Sequence, residues 1–474
     1  MTGSRLRVGL VVPRFTPFKG AAGISIKQAG SIRTDAAFRP VRMREVELSE
    51  PLPCVSALDD PDEANGRRYG SAWVLVRLQT EPIGVVEFPL NDETVTPAQL
   101  AEMIWRALRP AIVERATAGS VPLEALPPEG LQLDTASPYL LERASVLAAA
   151  PSVSVVVCTR DRVSQLAGCL AALECQHYPD YEVVVVDNAP STDAVTHLLA
   201  TRPPTVPVRR VVEPRPGLAW ARNCGLRAAA GQVVAYLDDD EVPDLYWLAE
   251  IARGFRAAEN VGGVSGMILP VALDTQAQSW FEQFGGHSKG RGFTPVVFDS
   301  ASHAGQHPLY PLPPFGAGGN LAFDRGVLAE LGGFDVALGT GTPARGAEDT
   351  AAICDLMLAG HTLAYQPSAF VRHRHYEDWP GIANQLHGYG TGLTAFYTRT
   401  VLRDPRRLLT LLRLAPTAAR DLFGRDSVRT VRMSTDYPVE LTRLQRRGML
   451  AGPRAYLRSR RLQRRLTTLQ QTTS

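Results

Sequence analysis

The chain has 474 residues, of which 45% are hydrophobic and 21% are charged, and its formal net charge is +2. This length predicts two or three domains, and this apolar content is typical of a globular protein with a substantial core. The longest apolar runs fall short of the roughly 18 residues that span a bilayer, and the N-terminus lacks a secretory signal pattern. Six scattered cysteines without a CxxC pair indicate reduced thiols, so we expect a cytoplasmic protein.

Residues 1–121 are predicted to form a small α+β module. Arg7–Pro13 is typical of a short strand, and Gly70–Leu90 is typical of a hairpin that turns at Glu81–Ile83. A helix is expected to follow Thr96, because threonine caps helix N-termini and a proline occupies the next position. The module contains no recognisable chemical motif, so its role stays open.

A proline-rich stretch, residues 122–150, is predicted to link the module to an α/β domain. Val153–Thr159, Tyr181–Asp187 and Val233–Asp238 are apolar runs typical of strands buried on both faces of a parallel sheet. Helical segments separate them, including the alanine-rich Gly217–Ala230. This alternation predicts a doubly wound sheet.

Three consecutive carboxylates, Asp238 to Asp240, end the third of these strands. Open α/β sheets bind ligands beyond the carboxyl ends of their strands, and hard oxygen ligands suit Mg²⁺ or Mn²⁺. An acidic surface loop is the alternative. The sequence lacks the Gly-x-Gly-x-x-Gly fingerprint after the first strand and lacks a P-loop, which argues against a dinucleotide enzyme and an NTPase.

Together these segments resemble the family 2 glycosyltransferases of GT-A fold. The resemblance extends from Val153 to about His375, within a predicted domain of residues 151–398. The matching motifs, in the order of the family, are Val153–Arg162, Val183–Asn188, Ala221-Arg222-Asn223-x-Gly225, Asp238–Asp240, Gly318–Asn320, Gly332–Asp335, Glu348-Asp349 and Val371-x-His373. The implied fold is a GT-A type doubly wound mixed sheet with a Rossmann-like nucleotide half.

The resemblance implies a donor site and a metal site. The residues implied for the nucleotide sugar are Thr159, Arg160, Asp187, Arg222, Asn223, Asp238 and Asp239, and those implied for Mg²⁺ or Mn²⁺ are Asp240, Asp238 and His373. Two of these residues have structural alternatives. The alternative for Asp187 is a residue that caps the following turn, and the alternative for Arg222 is a residue that ties its helix to the acids of the sheet.

The resemblance assigns the catalytic base to Asp349, with Glu348 orienting it. This pair begins a predicted helix directly after the glycine-rich Gly339–Gly346, a segment able to move over a site. Acids in a first helical turn are also common without any catalytic role. We expect Gly319, Asn320 and Trp280 on the acceptor side, although Trp280 is equally compatible with a core position.

The C-terminal residues 399–474 are strongly basic, with 18 arginines against 5 acidic residues between Arg399 and Arg465. They predict amphipathic helices that either dock peripherally on an anionic membrane or pack on the catalytic domain. We expect no nucleic acid partner.

The resemblance implies inverting transfer of a sugar from a nucleotide-diphosphate sugar, with a UDP-sugar favoured, to an acceptor hydroxyl. The alternatives are a non-catalytic carbohydrate-binding module and a nucleotidyltransferase.

Overall fold

The computed structural model describes residues 38–58, 67–91, 93–116, 123–133, 136–288, 291–299, 307–310, 315–423 and 437–473. In these ranges the strands are β1 (Val41–Glu47), β2 (Ser71–Leu78), β3 (Glu81–Pro89), β4 (Val153–Thr159), β5 (Tyr181–Asn188), β6 (Val208–Glu213), β7 (Val233–Asp238), β8 (Glu241–Pro243), β9 (Val261–Pro270), β10 (Val296–Phe298), β11 (Asn320–Asp324) and β12 (Thr362–His373). The helices are α1 (Pro97–Ala116), α2 (Pro138–Ala148), α3 (Val163–Leu173), α4 (Ala194–Thr201), α5 (Leu218–Ala228), α6 (Trp247–Gly254), α7 (Gln276–Phe284), α8 (Arg325–Glu330), α9 (Glu348–Leu358), α10 (Trp379–Arg403), α11 (Arg407–Phe423) and α12 (Val439–Thr473).

A mixed sheet lies at the centre of the fold, with its strands in the order β10-β12-β9-β11-β7-β4-β5-β6 and β8 beside β12. The neighbours β7, β4, β5 and β6 are parallel, whereas β11 runs antiparallel between β7 and β9. The predicted α/β class with a doubly wound mixed sheet is confirmed. Strands β5 and β7 lie on opposite sides of β4, so the topological switch point, where such sheets bind ligands, lies beyond the ends of β4 and β7.

The parallel strands form where the sequence has continuous apolar runs. Val155–Val157, Val183–Val186 and Val234–Leu237 are all at most 2% exposed, because helices cover both faces of the sheet. Helix α5 lies directly on β4, since a Cβ added at Gly225 would come within 2.3 Å of Val156 Cγ1. This close approach fixes α5, and the side chains that it carries, against the edge of the sheet.

The N-terminal region is a three-stranded sheet, β1-β2-β3, packed on α1. Thr96 caps α1 as predicted: its Oγ1 accepts from Gln99 N, and its own N–H donates to Gln99 Oε1. The predicted turn was placed wrongly: the hairpin turns at Gln79 and Thr80, whose φ values of 48° and 71° suit a tight two-residue turn. The predicted strand at Arg7–Pro13 lies outside the described residues.

The prediction that residues 122–150 are a linker is wrong for its second half, which is helix α2. Ser137 caps this helix, and Val146 is fully buried in the core beneath the central sheet. Two side-chain contacts also join the N-terminal sheet to the catalytic domain. Arg77 Nη1 lies 2.8 Å from Asp244 Oδ2, and Arg372 pairs with Glu45. The N-terminal region is therefore packed on the catalytic domain.

The C-terminal helices differ in how closely they pack on the rest of the protein. Helix α12 packs along α10 so closely that a Cβ at Gly390 or Gly448 would lie within 2.2 Å of the opposing backbone. Its far end also reaches α5, where Trp220 Nε1 donates to Gln463 Oε1 at 2.6 Å. Helix α11 instead exposes leucines at its surface. Among the described helices, none combines the length and the apolar character needed to cross a bilayer.

Candidate active site

Side chains from the ends of β4 and β7 meet at the switch point of the sheet. Thr159 Oγ1 donates to Asp239 Oδ2 at 2.7 Å, and Arg162 Nη1 lies 3.0 Å from Asp239 Oδ1. Arg162 also pairs with Asp240. Strand pairing places Asp187, at the end of β5, beside Thr159. The predicted donor-site residues at these three strand ends therefore lie together.

Four consecutive acids, Asp238 to Glu241, give this edge an excess of negative charge. Burial raises the pKa of Asp239 to about 7, although Arg162 and Thr159 act to lower it. Burial also raises the pKa of Asp238, and burial together with the Asp238 charge raises that of Glu241 well above its usual range. Within the described residues, only Arg162 and Arg222 form ion pairs with these four side chains through a guanidinium. A bound cation would relieve the repulsion.

His373, at the end of β12, faces this acidic cluster. Its Nε2 lies 3.8 Å from Asp240 Oδ1. Burial lowers the pKa of His373 to about 4, so the imidazole is neutral at physiological pH and can act as a metal ligand. Carboxylate oxygens from Asp238 and Asp240 and an imidazole nitrogen form a donor set that suits Mn²⁺, whereas Mg²⁺ prefers oxygen ligands alone. The donor types of these residues therefore suit a divalent metal, and His373 and Asp240 are the pair already in contact.

Arg222 of α5 is buried and joins the two acidic parts of the site. Its Nη2 lies 3.3 Å from Asp238 Oδ1 and donates to Gly318 O at 2.9 Å, while its Nη1 donates to Glu348 Oε1 at 2.8 Å. Burial opposes the charge on Arg222, but Glu348 and Asp238 outweigh it and raise its pKa. These contacts match the structural alternative for Arg222, in which it ties its helix to the acids. Glu348 and Asp238 already occupy its guanidinium.

Glu348 and Asp349 begin α9 immediately after Ala347, whose φ of 69° is in the left-handed region. Burial raises the pKa of Glu348 to about 7, against the effect of Arg222. Asp349 is half-buried, and its Oδ1 accepts from Thr350 N at 2.7 Å. Its Oδ2 accepts no hydrogen bond from the described residues. Of the two acids, Asp349 therefore has the free oxygen, whereas Glu348 is buried against Arg222.

Asp187 is 1% exposed and uses only one of its two carboxylate oxygens. Arg210 donates to Oδ2 from Nε at 2.9 Å and from Nη2 at 2.7 Å. Oδ1 is buried and has no hydrogen-bond partner among the described residues. Unpaired buried acceptors are costly, so this oxygen is positioned for a ligand that donates. Arg160 lies nearby in the exposed loop after β4.

Two predicted contacts to substrate are wrong because the structure uses both side chains internally. Asn223 accepts from Phe334 N and donates to Phe334 O, both at 2.8 Å, and so holds the turn that follows α8. Asn320 is fully buried, where its Oδ1 accepts from Trp247 Nε1 and its Nδ2 donates to Met267 O and Ala369 O. The Asn320 amide is therefore not available to an acceptor, and both polar atoms of the half-buried Asn223 already have partners.

The other two predicted acceptor residues, Gly319 and Trp280, lie on different elements and make different contacts. A Cβ at Gly319 would come within 2.4 Å of Glu241 Oε1, so glycine is needed there for packing. Trp280 is half-buried in α7 and contacts the exposed Trp379 edge-on, at 5.8 Å between ring centroids. Its indole N–H is buried, and the described residues offer it no acceptor. Trp280 therefore remains a candidate for acceptor binding.

Sequence reasoning did not assign Arg162, Glu241, Arg210 or Glu282 to the site. Arg162 and Glu241 are next to predicted site residues in the sequence. The charged residues that follow the ends of β4 and β7 could therefore have indicated them. Arg210 lies on β6, and only the strand order brings it to Asp187. Glu282 lies on α7 and contacts His375, which is 93 residues away, so the sequence contains no local signal for it.

Comparison with known proteins agrees with this geometry. The model of the family "Glycosyl transferase family 2" matches residues 154–332. The chain is 24% identical over 248 residues to the glucosyl-dolichyl phosphate glucuronosyltransferase of Haloferax volcanii, covering 50% of this chain and 75% of that protein. It is 30% identical over 228 residues to the succinoglycan biosynthesis protein ExoM of Rhizobium meliloti, covering 46% and 65% respectively.

Among solved structures, the chain is similar to the mannosyltransferase PcManGT from Pyrobaculum calidifontis, determined in complex with GDP-Man and Mn²⁺. That match has 22% identity and a TM-score of 0.42, and it covers 67% of this chain and 94% of the other.

Proposed function

Residues 154–332 belong to glycosyltransferase family 2, and we propose that this chain transfers a sugar from a nucleoside-diphosphate sugar to an acceptor hydroxyl, with inversion at the anomeric carbon. The observation that carries the proposal is the bridge made by Arg222. One buried guanidinium contacts both Asp238, on the metal side, and Glu348, the neighbour of Asp349. Charge-assisted hydrogen bonds of this kind fix geometry. The metal-binding acids and the proposed base are thereby held at a constant separation.

Uracil is the nucleotide base that best suits Asp187. Arg210 occupies Oδ2 of this carboxylate, and among the residues that the structure describes none donates to Oδ1. Uracil presents a single imide N–H donor on its pairing edge. Guanine presents two neighbouring donors there, and these would require both carboxylate oxygens. We therefore propose a UDP-sugar donor, with Thr159 and Arg160 beside the base and ribose, although Thr159 already donates to Asp239.

Asp238, Asp240 and His373 are the residues that would hold a divalent cation. When bound, the metal offsets the negative charge that develops on the departing diphosphate. Arg162 forms ion pairs with Asp239 and Asp240. Asp239 is buried beneath Thr159 and supports the loop.

Asp349 is the proposed general base. In a single displacement, its free Oδ2 takes the proton of the acceptor hydroxyl while that oxygen forms a bond to the anomeric carbon. The bond from that carbon to the diphosphate oxygen breaks on the opposite face, which inverts the configuration. Glu348 and Arg222 hold the start of α9 in place during this step, and no covalent intermediate with the protein is needed.

A thermal-shift comparison tests the donor assignment. In the presence of Mn²⁺, UDP is expected to stabilise the full-length protein more than GDP or CDP at equal concentration. A ligand at a hundred times its Kd adds about 2.7 kcal/mol of stability. Asp187→Ala should remove the preference for UDP. A larger shift with GDP would contradict the uracil assignment.

The products of turnover distinguish the proposed activity from its two alternatives. Release of free nucleoside diphosphate supports glycosyl transfer. Release of pyrophosphate instead would identify a nucleotidyltransferase. Donor binding without any turnover, across acceptors that include simple sugars and lipid-linked sugars, would identify a non-catalytic binding module.

We also propose that α11 is the part of the basic C-terminal region that docks on an anionic membrane surface. Leu408, Leu409 and Leu412 are 47%, 63% and 60% exposed, and Arg406 and Arg413 flank them. The opposite face of the helix, with Leu411 and Leu414, packs on the core. Exposed leucines among arginines suit the boundary between lipid headgroups and acyl chains.

Co-sedimentation with phosphatidylglycerol vesicles tests this surface. Replacing Leu409 and Leu412 with serine should weaken binding by ~10–100-fold, because each leucine loses the free energy of burial in the interface. Leu450→Ser is the matched control, since Leu450 is an 85% exposed leucine on α12. Wild-type binding should fall as salt rises. Equal binding by both variants, or no wild-type binding at low salt, would refute the proposal.

A further inference from the structure

Three side chains form a line of hydrogen bonds that leads to the metal-binding acids. Glu282 of α7 lies 2.8 Å from His375, measured from Oε1 to Nε2. The Nδ1 atoms of His375 and His373 are 3.0 Å apart. The line ends at Asp240, whose Oδ1 is 3.8 Å from His373 Nε2. His375 is 2% exposed, so this line runs inside the protein and not over its surface.

The position of each proton in this line follows from donor and acceptor chemistry. An ionised Glu282 can only accept, so His375 Nε2 must carry a proton and donate it. A neutral His375 then presents its Nδ1 as an acceptor, and His373 Nδ1 must be the donor. A His373 that donates from Nδ1 and carries no second proton is the neutral form of imidazole, which is the form that binds metals. Its remaining nitrogen, Nε2, therefore presents a lone pair towards Asp240.

We propose that His375 and Glu282 are positioning residues, which hold His373 in the tautomer and ring orientation that let Nε2 bind a divalent cation together with Asp240. The inference rests on the proposed function, because it requires a metal at Asp240 and His373. Metal-ligating histidines almost always donate their other N–H to such a partner, and loss of that partner typically weakens metal binding. Neither His375 nor Glu282 would touch the ion.

Packing around the line restrains both rings. Phe281 meets the His375 ring edge-on at 4.8 Å between centroids, and His287 meets the His373 ring at 4.5 Å. The ring nitrogens of His287, His373 and His375 also lie within 4.8 Å of one another, an arrangement that three imidazoles around a metal would share. We favour the line of hydrogen bonds because both nitrogens of His375 already have partners in it.

Manganese binding to the full-length protein, followed through the EPR signal of free Mn²⁺ without nucleotide, tests the inference. His375→Phe keeps a ring but cannot accept from His373, and it should weaken Mn²⁺ binding by about 10–100-fold. Glu282→Leu should weaken binding in the same direction. Glu282→Gln should restore most of the affinity, because its amide oxygen still accepts from His375. The control is His287→Phe, which keeps the edge contact to His373 and should bind Mn²⁺ like the wild type.

The outcomes separate this inference from the proposed metal site. Wild-type affinity in both His375→Phe and Glu282→Leu, with affinity lost in His373→Ala, would overturn the inference alone. An equal loss in His287→Phe and His375→Phe would overturn it in favour of a three-imidazole site. Unchanged affinity in His373→Ala, or no Mn²⁺ binding by the wild type, would overturn the proposed metal site as well. Glu282 is 29% exposed, so its variants provide the test if His375→Phe does not fold.

Discussion

Replacing Asp240 with asparagine is expected to lower the rate of sugar transfer by ~10³-fold or more. A metal that offsets charge on a leaving group contributes several kcal/mol to the transition state, and each 1.36 kcal/mol is about tenfold in rate. Asp240 is the acid that faces both Arg162 and His373, so the loss of its charge removes a ligand at the centre of the proposed site. The measurement is the rate of nucleoside diphosphate release during an Mn²⁺ titration.

The protein should stay folded in this variant, because the Asp240 side chain is 19% exposed and the amide can still contact Arg162. Excess EDTA should reproduce the loss in the wild type, and added Mn²⁺ should reverse it. Asp161→Asn is a suitable control. Asp161 is an exposed acid of the same region, and its Oδ1 accepts from Ser191, a bond that asparagine can keep. Full transfer in excess EDTA would show that no metal is needed.

Asp349→Asn is expected to lower kcat by ~10²–10⁴-fold, the usual contribution of a general base. Asparagine keeps the size of the side chain and the bond from Thr350 N, but it cannot take a proton. The affinity for donor should change little, because Asp349 Oδ2 is proposed to face the acceptor. Steady-state kinetics at saturating donor, together with calorimetric titration of UDP, separate these two quantities.

Glu348→Gln is the informative comparison. Glu348 is 4% exposed and occupied by Arg222, so its substitution should disturb the position of α9 and have a milder effect than Asp349→Asn. A larger loss of kcat in Glu348→Gln would move the base to Glu348. A lost donor site in Asp349→Asn, with the chemistry of transfer spared, would show that Asp349 binds the nucleotide.

Local pattern predicted the strands that form the site. Strands β4, β5 and β7 are buried on both faces of the sheet. Their continuous apolar sequences predicted this burial. The position of Asp238 at a strand end followed from the same reading. The capping of α1 by Thr96 was equally local, because it depends on residues within one helical turn.

The errors concern the direction of side chains and contacts between distant segments. Asn223 and Asn320 occupy motif positions, but the sequence does not show that their amides face the backbone of Phe334 and of the central sheet. The prolines before helix α2 predict a linker. The helix forms nevertheless, because its short apolar pattern is buried in the core. Contacts such as Glu282 with His375 depend on the tertiary fold alone.

The bond between Trp220 and Gln463 has a consequence for synthesis of the chain. The two residues are 243 positions apart, so at about 5–20 residues per second a ribosome needs roughly 12–50 s to supply the second partner. Throughout that interval α5 lacks its contact with α12, and after α10 is made its glycine-lined surface also stays uncovered until α12 follows. Full packing of α5 and α10 therefore waits until α12 has been synthesised.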